Sequence, residues 1–395
     1  MRRRDLMGAG AAGVLVAAAE GGGAQAAAPR IDTVLRPYLA KYGLPALAAA
    51  VVRDGVVVAA GAVGTRRAGA DSPVTIEDRF HIGSDTKAMT ATTVAMFVEA
   101  GRLRWDSRVE EVFPDLAATM DPGFRRVTVE QLLSHTSGLP SDNDAIVKLY
   151  LESFAQDGNV DELRLWLLRQ VAPRPLEAPT GTRFAYSNLG YTLAGAIVDR
   201  LSGRTWAEEV AARLIDPLGL TTAGFGPQAS LGRVDAPLGH LRRPDGTLKP
   251  MLTGNNNDVP PIIGPAGEVH LSVLDFATWA GWNAGEGKRG PALVRPETLR
   301  KLHTKVVDIP AGPDAGPGRP SHGGYGLGWG VAALPFSPEP FVTHSGSNEM
   351  NLAMVFLQPA HDYAMVMMTN VSDESARTAL LALAEELYRR HPPTG

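Results

Sequence analysis

Cysteine is absent from the 395-residue chain. That excludes disulfides, thiol nucleophiles, zinc–thiolate sites and a lipid-modified N-terminal cysteine. Lysine is scarce: of 38 basic residues only Lys41, Lys87, Lys148, Lys249, Lys288, Lys301 and Lys305 are lysines, so a lysine inside a motif carries weight. Positive charge is in deficit, with a net charge of −4 and no basic stripe, which argues against a nucleic-acid partner. The nine histidines show no metal-ligand spacing and no H-E-x-x-H, so neither a metal nor any other cofactor is expected. No G-x-S-x-G elbow occurs, which counts against an α/β-hydrolase. No apolar run reaches the roughly 20 residues of a membrane span, and there are no repeats or heptads. What remains is ordinary globular composition, 44% hydrophobic and 20% charged, long enough for a large core.

The N-terminus reads Arg2-Arg3-Arg4-Asp5-Leu6, then an apolar Ala/Gly/Val run, then Ala24-Gln25-Ala26. A basic start, a short apolar stretch and an A-x-A site read as an export signal over residues 1–26, with a disordered extension as the alternative. Arg3-Arg4-x-Leu6 resembles a twin-arginine signal, with Arg2 where Ser or Thr is commoner. The mature product is therefore expected in the periplasm or secreted, with no stable membrane anchor after cleavage. Gly8-Ala9-Gly10-Ala11-Ala12-Gly13 spells a dinucleotide fingerprint, but no strand precedes it and it lies inside the signal.

Residues 31–42 read as a helix ending at Gly43, followed by strands 46–52 and 56–60 around an Asp54-Gly55 turn. Four more strands are predicted at Tyr325–Val331, Phe341–His344, Asn351–Leu357 and Tyr363–Met368, and a final helix from about Ser372. The middle is helical, with caps at Thr128, Thr205 and Ser272 and an apolar stripe through Leu189, Leu193, Ile197 and Leu201. This pattern predicts an α/β protein of α+β type. An antiparallel sheet built from both chain ends (31–83 and 266–395) is flanked by helices, an all-helical domain (84–265) is inserted, and the active site lies between them. Thr253–Gly267 reads as the return linker. Ala311–Gly324 is a Pro/Gly-rich loop.

Three short motifs carry chemistry. Ser84-Asp85-Thr86-Lys87 opens a segment, Ala88–Ala100, that is apolar almost all round and so reads as a buried helix. A serine hydroxyl needs a base, and an amine is a base only when neutral. Burial and the positive end of the helix both favour the neutral amine, and that helix end offers the Ser84 N–H to an oxyanion. S-x-x-K alone is expected by chance about 0.3 times in such a chain, so the buried helix behind it carries the reading. Tyr186-Ser187-Asn188 precedes the next helix. A phenol beside a cation can act as a base, and an amide two residues on can bond both a lysine and a substrate carbonyl. The segment also reads as a helix cap, with Tyr186 as packing. His344-Ser345-Gly346-Ser347 ends a strand. Gly346 leaves room for a substrate and Ser347 offers a backbone N–H.

In this order and spacing, the three elements resemble the serine β-lactamase and penicillin-binding protein superfamily, class C-like branch, which includes esterases, D-Ala-D-Ala peptidases and D-amino-acid amidases. The likeness extends to Leu132–Leu139, Pro265-Ala266-Gly267 and Gly324–Trp329, and covers roughly residues 31–390. It implies a β-lactamase/transpeptidase-like fold. It also implies that Ser84 is the acylated nucleophile, Lys87 its base, and Tyr186 the proton shuttle for leaving group and deacylating water. Asn188 would hold Lys87 and the substrate amide. The Ser84 and Ser347 N–H groups would form the oxyanion hole, with His344 and Ser345 lining the cleft. One position departs from the pattern. The β-lactamases carry Lys-Thr-Gly or a close variant where this chain has His344-Ser345-Gly346, and a histidine is only partly charged near neutral pH. Class A is excluded by the missing E-x-x-x-N element and by Tyr186 in place of its serine. The expected protein is an exported serine hydrolase acting on a small ester, amide or peptide. A class C-like β-lactamase and a penicillin-binding protein without turnover are the alternatives. The segments 141–161 and 253–264 are expected to line the cleft.

Overall fold

The computed structural model describes residues 28–253, 258–309 and 323–394. Residues 1–26, read above as an export signal, and most of the 311–324 loop lie outside the described residues. After the Asp32–Tyr42 helix, β1 (Ala46–Arg53) and β2 (Val56–Gly64) form the predicted hairpin. Short strands follow in the middle of the chain: β3 (Arg79–His81), β4 (Gly224–Phe225), β5 (His240–Arg242), β6 (Leu248–Pro250) and β7 (Val269–Ser272). The C-terminal part supplies β8 (Val307–Ile309), β9 (Gly323–Tyr325), β10 (Gly330–Ala332), β11 (Phe341–Ser347), β12 (Leu352–Gln358) and β13 (Tyr363–Thr369).

The main sheet runs β2-β1-β13-β12-β11-β10-β9-β8, and every pairing in it is antiparallel. Both chain ends build it, as the strand pattern predicts. β12 and β13 are buried at every position, which requires helices on both faces. Alternation along β1 separates the two cores. Leu47, Ala49 and Val51 pack with Leu35, Leu380 and Leu383 from the terminal helices, Asp32–Tyr42 and Glu374–Arg390. Ala48, Ala50 and Val52 join Phe276 and Trp279 of the Val273–Ala284 helix.

Helices occupy most of the chain between Thr86 and Leu218. The segment 84–265 is nevertheless not all-helical. β4, β5 and β6 lie within it, and two- or three-residue strands are too short to show periodicity. Three local differences from the sequence reading also stand. The predicted strand Tyr325–Val331 is two strands, because the turn at Gly326–Trp329 places Gly328 at φ 83°. The strand predicted to end at His344 continues to Ser347. The predicted linker ends in a buried helical turn, Gly264–Gly267, which belongs to the core.

Two helices position the site. Thr86–Glu99 has buried residues on every face. Asn188–Ser202 is pinned to the Val160–Val171 helix by a buried, bidentate ion pair: Arg164 Nε and Nη2 donate to Asp199 Oδ2 and Oδ1 at 2.7 and 3.0 Å. Asp199 Oδ1 also accepts the Trp206 N–H at 2.6 Å. Removing one charge leaves the other uncompensated. Arg164→Leu is therefore expected to cost about 3–5 kcal/mol in urea unfolding. The Arg164→Leu/Asp199→Leu pair should cost less than the sum of the two single changes.

Candidate active site

Ser84 stands in a single 3-10 turn, Gly83–Asp85, that runs directly into the Thr86–Glu99 helix. Lys87 follows one turn later and is fully buried. Its Nζ donates to Ser84 Oγ at 2.9 Å, Asn188 Oδ1 at 2.6 Å and the Ala266 carbonyl at 2.7 Å. The Tyr186 hydroxyl donates to the same Ser84 Oγ at 2.8 Å, and the Tyr186 ring lies 4.8 Å from Lys87 Nζ. The structure thus brings Ser84, Lys87, Tyr186 and Asn188 into one bonded cluster.

The partners of Lys87 dictate what its amine can do. The Ala266 carbonyl only accepts. Asn188 presents its oxygen because its Nδ2 donates to Asp142 Oδ2, which fixes the amide orientation. A neutral amine has two hydrogens; with both on these acceptors, its lone pair would face Ser84 Oγ in place of the third N–H, as removal of the serine proton requires.

Local sequence explains why these side chains converge. Ser187 caps the Asn188–Ser202 helix, its Oγ accepting the Gly190 N–H at 3.2 Å while donating to the Pro140 carbonyl at 2.7 Å. Ser187 therefore serves the cap while its two neighbours turn toward Ser84 and Lys87. His135, at φ 59°, accepts the Ser187 N–H on Nδ1 at 3.1 Å. Its ring lies 4.4 Å from that of Tyr186. Sequence reasoning did not assign roles to His135, Asp142 or the Ala266 carbonyl. His135 and Ala266 fall in runs that carry the family resemblance, and Asp142 carries no local signal.

β11 forms the opposite wall. A Cβ on Gly346 would lie 1.9 Å from the Ile82 oxygen and 2.5 Å from the Ser84 nitrogen. Only glycine lets the strand pass this close. A Cβ on Gly83, at φ 50°, would lie 2.3 Å from the Ser347 nitrogen. The Ser84 and Ser347 peptides are thereby held side by side. Ser345 is half-buried, and Ser347 Oγ donates to Ser372 Oγ at 2.7 Å.

His344 departs from the sequence reading. It lies on the β11 face toward the Ser84 turn, but it is buried and is not a partly charged group. Its ring is buried, with Nε2 3.0 Å from the Tyr325 hydroxyl, Nδ1 2.9 Å from the Ser345 carbonyl and Nδ1 3.6 Å from Asp85 Oδ1. Burial, with Lys87 nearby, pushes its pKa down to about 3. The ring is therefore neutral, with Nδ1–H donating to the carbonyl and Nε2 accepting from Tyr325. Burial raises the Tyr325 phenol well above its usual range, which keeps it a donor. Burial likewise pushes the Asp85 carboxyl well up. Among the described residues, no group of three or more His, Asp or Glu is placed to hold a metal ion.

A deep helix carrying Ser84 and Lys87, a helix start carrying Tyr186 and Asn188, and a sheet edge closing the third side enclose one serine hydroxyl. The chain belongs to the Beta-lactamase family, whose model matches residues 31–388. It is 28% identical over 334 residues to Penicillin-binding protein 4 of Amycolatopsis lactamdurans, covering 84% of this chain and 82% of that protein. Protein flp of Staphylococcus aureus (strain MRSA252) is 22% identical over 87% of this chain, which spans 63% of that protein's length. Among solved structures, the octameric penicillin-binding protein homologue from Pyrococcus abyssi superposes with a TM-score of 0.73 at 26% identity, over 91% of this chain and 76% of that one. The D-amino acid amidase from Ochrobactrum anthropi SV3, complexed with L-phenylalanine, shares the fold at TM-score 0.69 and 18% identity, over 91% and 98% of the two chains.

The neutral His344 makes stability pH-dependent. Above pH ~6.5 the imidazole is neutral in both folded and unfolded chains. As pH falls below that, the unfolded histidine binds a proton that buried His344 refuses, so stability is lost progressively toward pH 3. Between pH 7 and 5 this one group removes about 2 kcal/mol, at about 1.36 kcal/mol per pH unit below ~6.5. The fall in urea midpoint over that interval should be smaller in His344→Gln than in the wild type.

Proposed function

We propose that this protein is an exported serine hydrolase. It cleaves an ester or amide bond, in the manner of an esterase or a peptidase/amidase, through an acyl-enzyme on Ser84. The observation that carries the reading is the placement of Lys87 Nζ, which has two acceptor-only partners and turns its third direction to Ser84 Oγ at 2.9 Å.

The reaction follows from the geometry. Ser84 Oγ adds to the substrate carbonyl carbon as its proton passes to Lys87 Nζ, and the developing oxyanion lies against the Ser84 and Ser347 N–H groups. The Tyr186 hydroxyl, 2.8 Å from Oγ, gives its proton to the departing alkoxide or amine and is restored through Lys87. Water then enters where the leaving group was. Tyr186 passes its own proton to Lys87 Nζ and takes one from the water as it adds to the ester carbonyl; the ester to Ser84 then breaks and Oγ takes the proton back from Lys87. Asn188 holds Lys87 and is free on its exposed side to meet a substrate amide.

Export is supported by the basic–apolar–A-x-A pattern of residues 1–26. No helix among the described residues is long and apolar enough to cross a membrane. Dedicated β-lactamase activity is disfavoured by His344, a neutral buried ring where a fixed cation would greet the drug's carboxylate. A second reading, acylation by penicillins without turnover, is favoured by the name of the Amycolatopsis relative.

A panel of short p-nitrophenyl esters, nitrocefin and D-Ala-D-Ala peptides separates these readings. Covalent labelling by a fluorophosphonate is expected in the wild type and absent in Ser84→Ala. Ester turnover should be lost in Ser84→Ala. A stable penicillin adduct with no turnover of any ester or peptide would establish the second reading instead. Tyr186→Phe keeps the ring but not the proton. It should lower kcat by roughly 10²–10⁴ while leaving KM within a few-fold, as measured by steady-state ester hydrolysis.

A further inference from the structure

Beneath the nucleophile turn lies a buried polar network that the chemistry above does not use. His81, the last residue of β3, is fully buried. Its Nδ1 accepts the Gly83 N–H at 3.0 Å. Its Nε2 is 3.4 Å from Asp258 Oδ1, whose side chain is 6% exposed. The same Asp258 oxygen accepts Asn348 Nδ2 at 2.9 Å. Asn348 Oδ1 in turn accepts the backbone N–H of Asn351 at 2.9 Å and of Met350 at 3.3 Å, locking the turn that follows β11.

Gly83 precedes Ser84 and Asn348 follows Ser347. One buried carboxylate oxygen therefore lies against both segments whose peptide N–H groups face a developing oxyanion, bonded to Asn348 and in 3.4 Å electrostatic contact with His81 Nε2, which has no hydrogen-bond partner of its own among the described residues. We propose that His81 and Asp258 are positioning residues that set the spacing and direction of the Ser84 and Ser347 amides. The inference rests on the serine-hydrolase reading and deepens it.

The chemistry of the imidazole makes the arrangement directional. Nδ1 accepts from Gly83 only if it carries no hydrogen, so the ring must be neutral with its hydrogen on Nε2. A carboxylate accepts and never donates, and at Nε2 it favours that tautomer over the other. Burial also disfavours the charged ring, in which Nδ1–H would confront the Gly83 N–H. His270, the cross-strand neighbour of His81, has its Nδ1 2.9 Å from the Gly226 carbonyl. The left-handed turn at Gly83, φ 50°, thus has its N–H fixed by a side chain two residues earlier. Peptide donors aimed at an oxyanion are sensitive to small displacements, because their contribution depends on preorganisation.

Four variants test this with p-nitrophenyl butyrate, each rate normalised to the fraction of protein that a fluorophosphonate labels. His81→Leu and Asp258→Leu remove the acceptor and its orienting partner. They should lower kcat by roughly 10- to 100-fold with KM within about 3-fold. His81→Asn keeps an acceptor near the place of Nδ1, and Asp258→Asn keeps a carbonyl oxygen toward both His81 and Asn348. Both should recover most of kcat. Leucine variants that keep kcat within about 3-fold per labelled site overturn the inference and leave the hydrolase reading standing. So does a loss that Asn fails to rescue at either position, or one that falls on KM alone. A wild type that neither labels nor turns over any ester defeats the hydrolase reading itself, and the inference with it.

Discussion

A buried amine constrains everything around it. Lys87 sits on a helix buried from Thr86 to Phe97, where an ammonium or amine without partners would cost several kcal/mol. Its acceptors are supplied from 101 and 179 positions away in the chain, by Asn188 and by the Ala266 carbonyl. Neither partner can arrive unless the Asn188–Ser202 helix docks and the Gly264–Gly267 turn packs beneath it. Satisfying one side chain therefore requires assembling the helical layer, and the assembled layer leaves that side chain pointing at Ser84. Stability and reactivity share the same geometry here.

The sheet makes a complementary demand. β11 approaches the nucleophile turn so closely that Gly346 and Gly83 are the only residues that fit. Close packing brings two peptide nitrogens next to each other. The polar residues beneath, His81, Asp258 and Asn348, carry no local sequence signal, because a hydrogen bond to a backbone N–H can be made by many residue types.

Much of the architecture was legible in the sequence. β1 and β2 alternate around Asp54-Gly55, and the terminal helix shows its apolar stripe at Ala376, Leu380, Leu383 and Leu387. Ser84, Lys87, Tyr186 and Asn188 were identifiable because each chemistry-bearing residue sits beside an element that announces itself. The failures have a common cause. Residues 264–267 read as a linker because Gly and Pro signal turns, yet a turn can be buried when its carbonyls find donors, as the Ala266 oxygen does in Lys87. β4, β5 and β6 are too short to be periodic. His344 was assigned to the cleft because H-x-G fixes its place along a strand. It does lie on the face toward the Ser84 turn, with Gly346, but Tyr325 and Asp85 lie against it there, and such long-range packing leaves no local signal.

The pairing of β1 with β13 has a bearing on how the molecule comes into being. Thr369 Oγ1 donates to the Ala46 carbonyl across 323 positions of sequence, and the first and last helices share one apolar layer. The first strand to leave the ribosome must therefore wait for the last before it is flanked on both sides. Such long-range closure slows folding. Until it happens, the sheet that carries β11 against the Ser84 turn is incomplete. Acquisition of reactivity is thus tied to completion of the chain, and a nascent or truncated polypeptide carries the nucleophile without the wall that would give it a purpose.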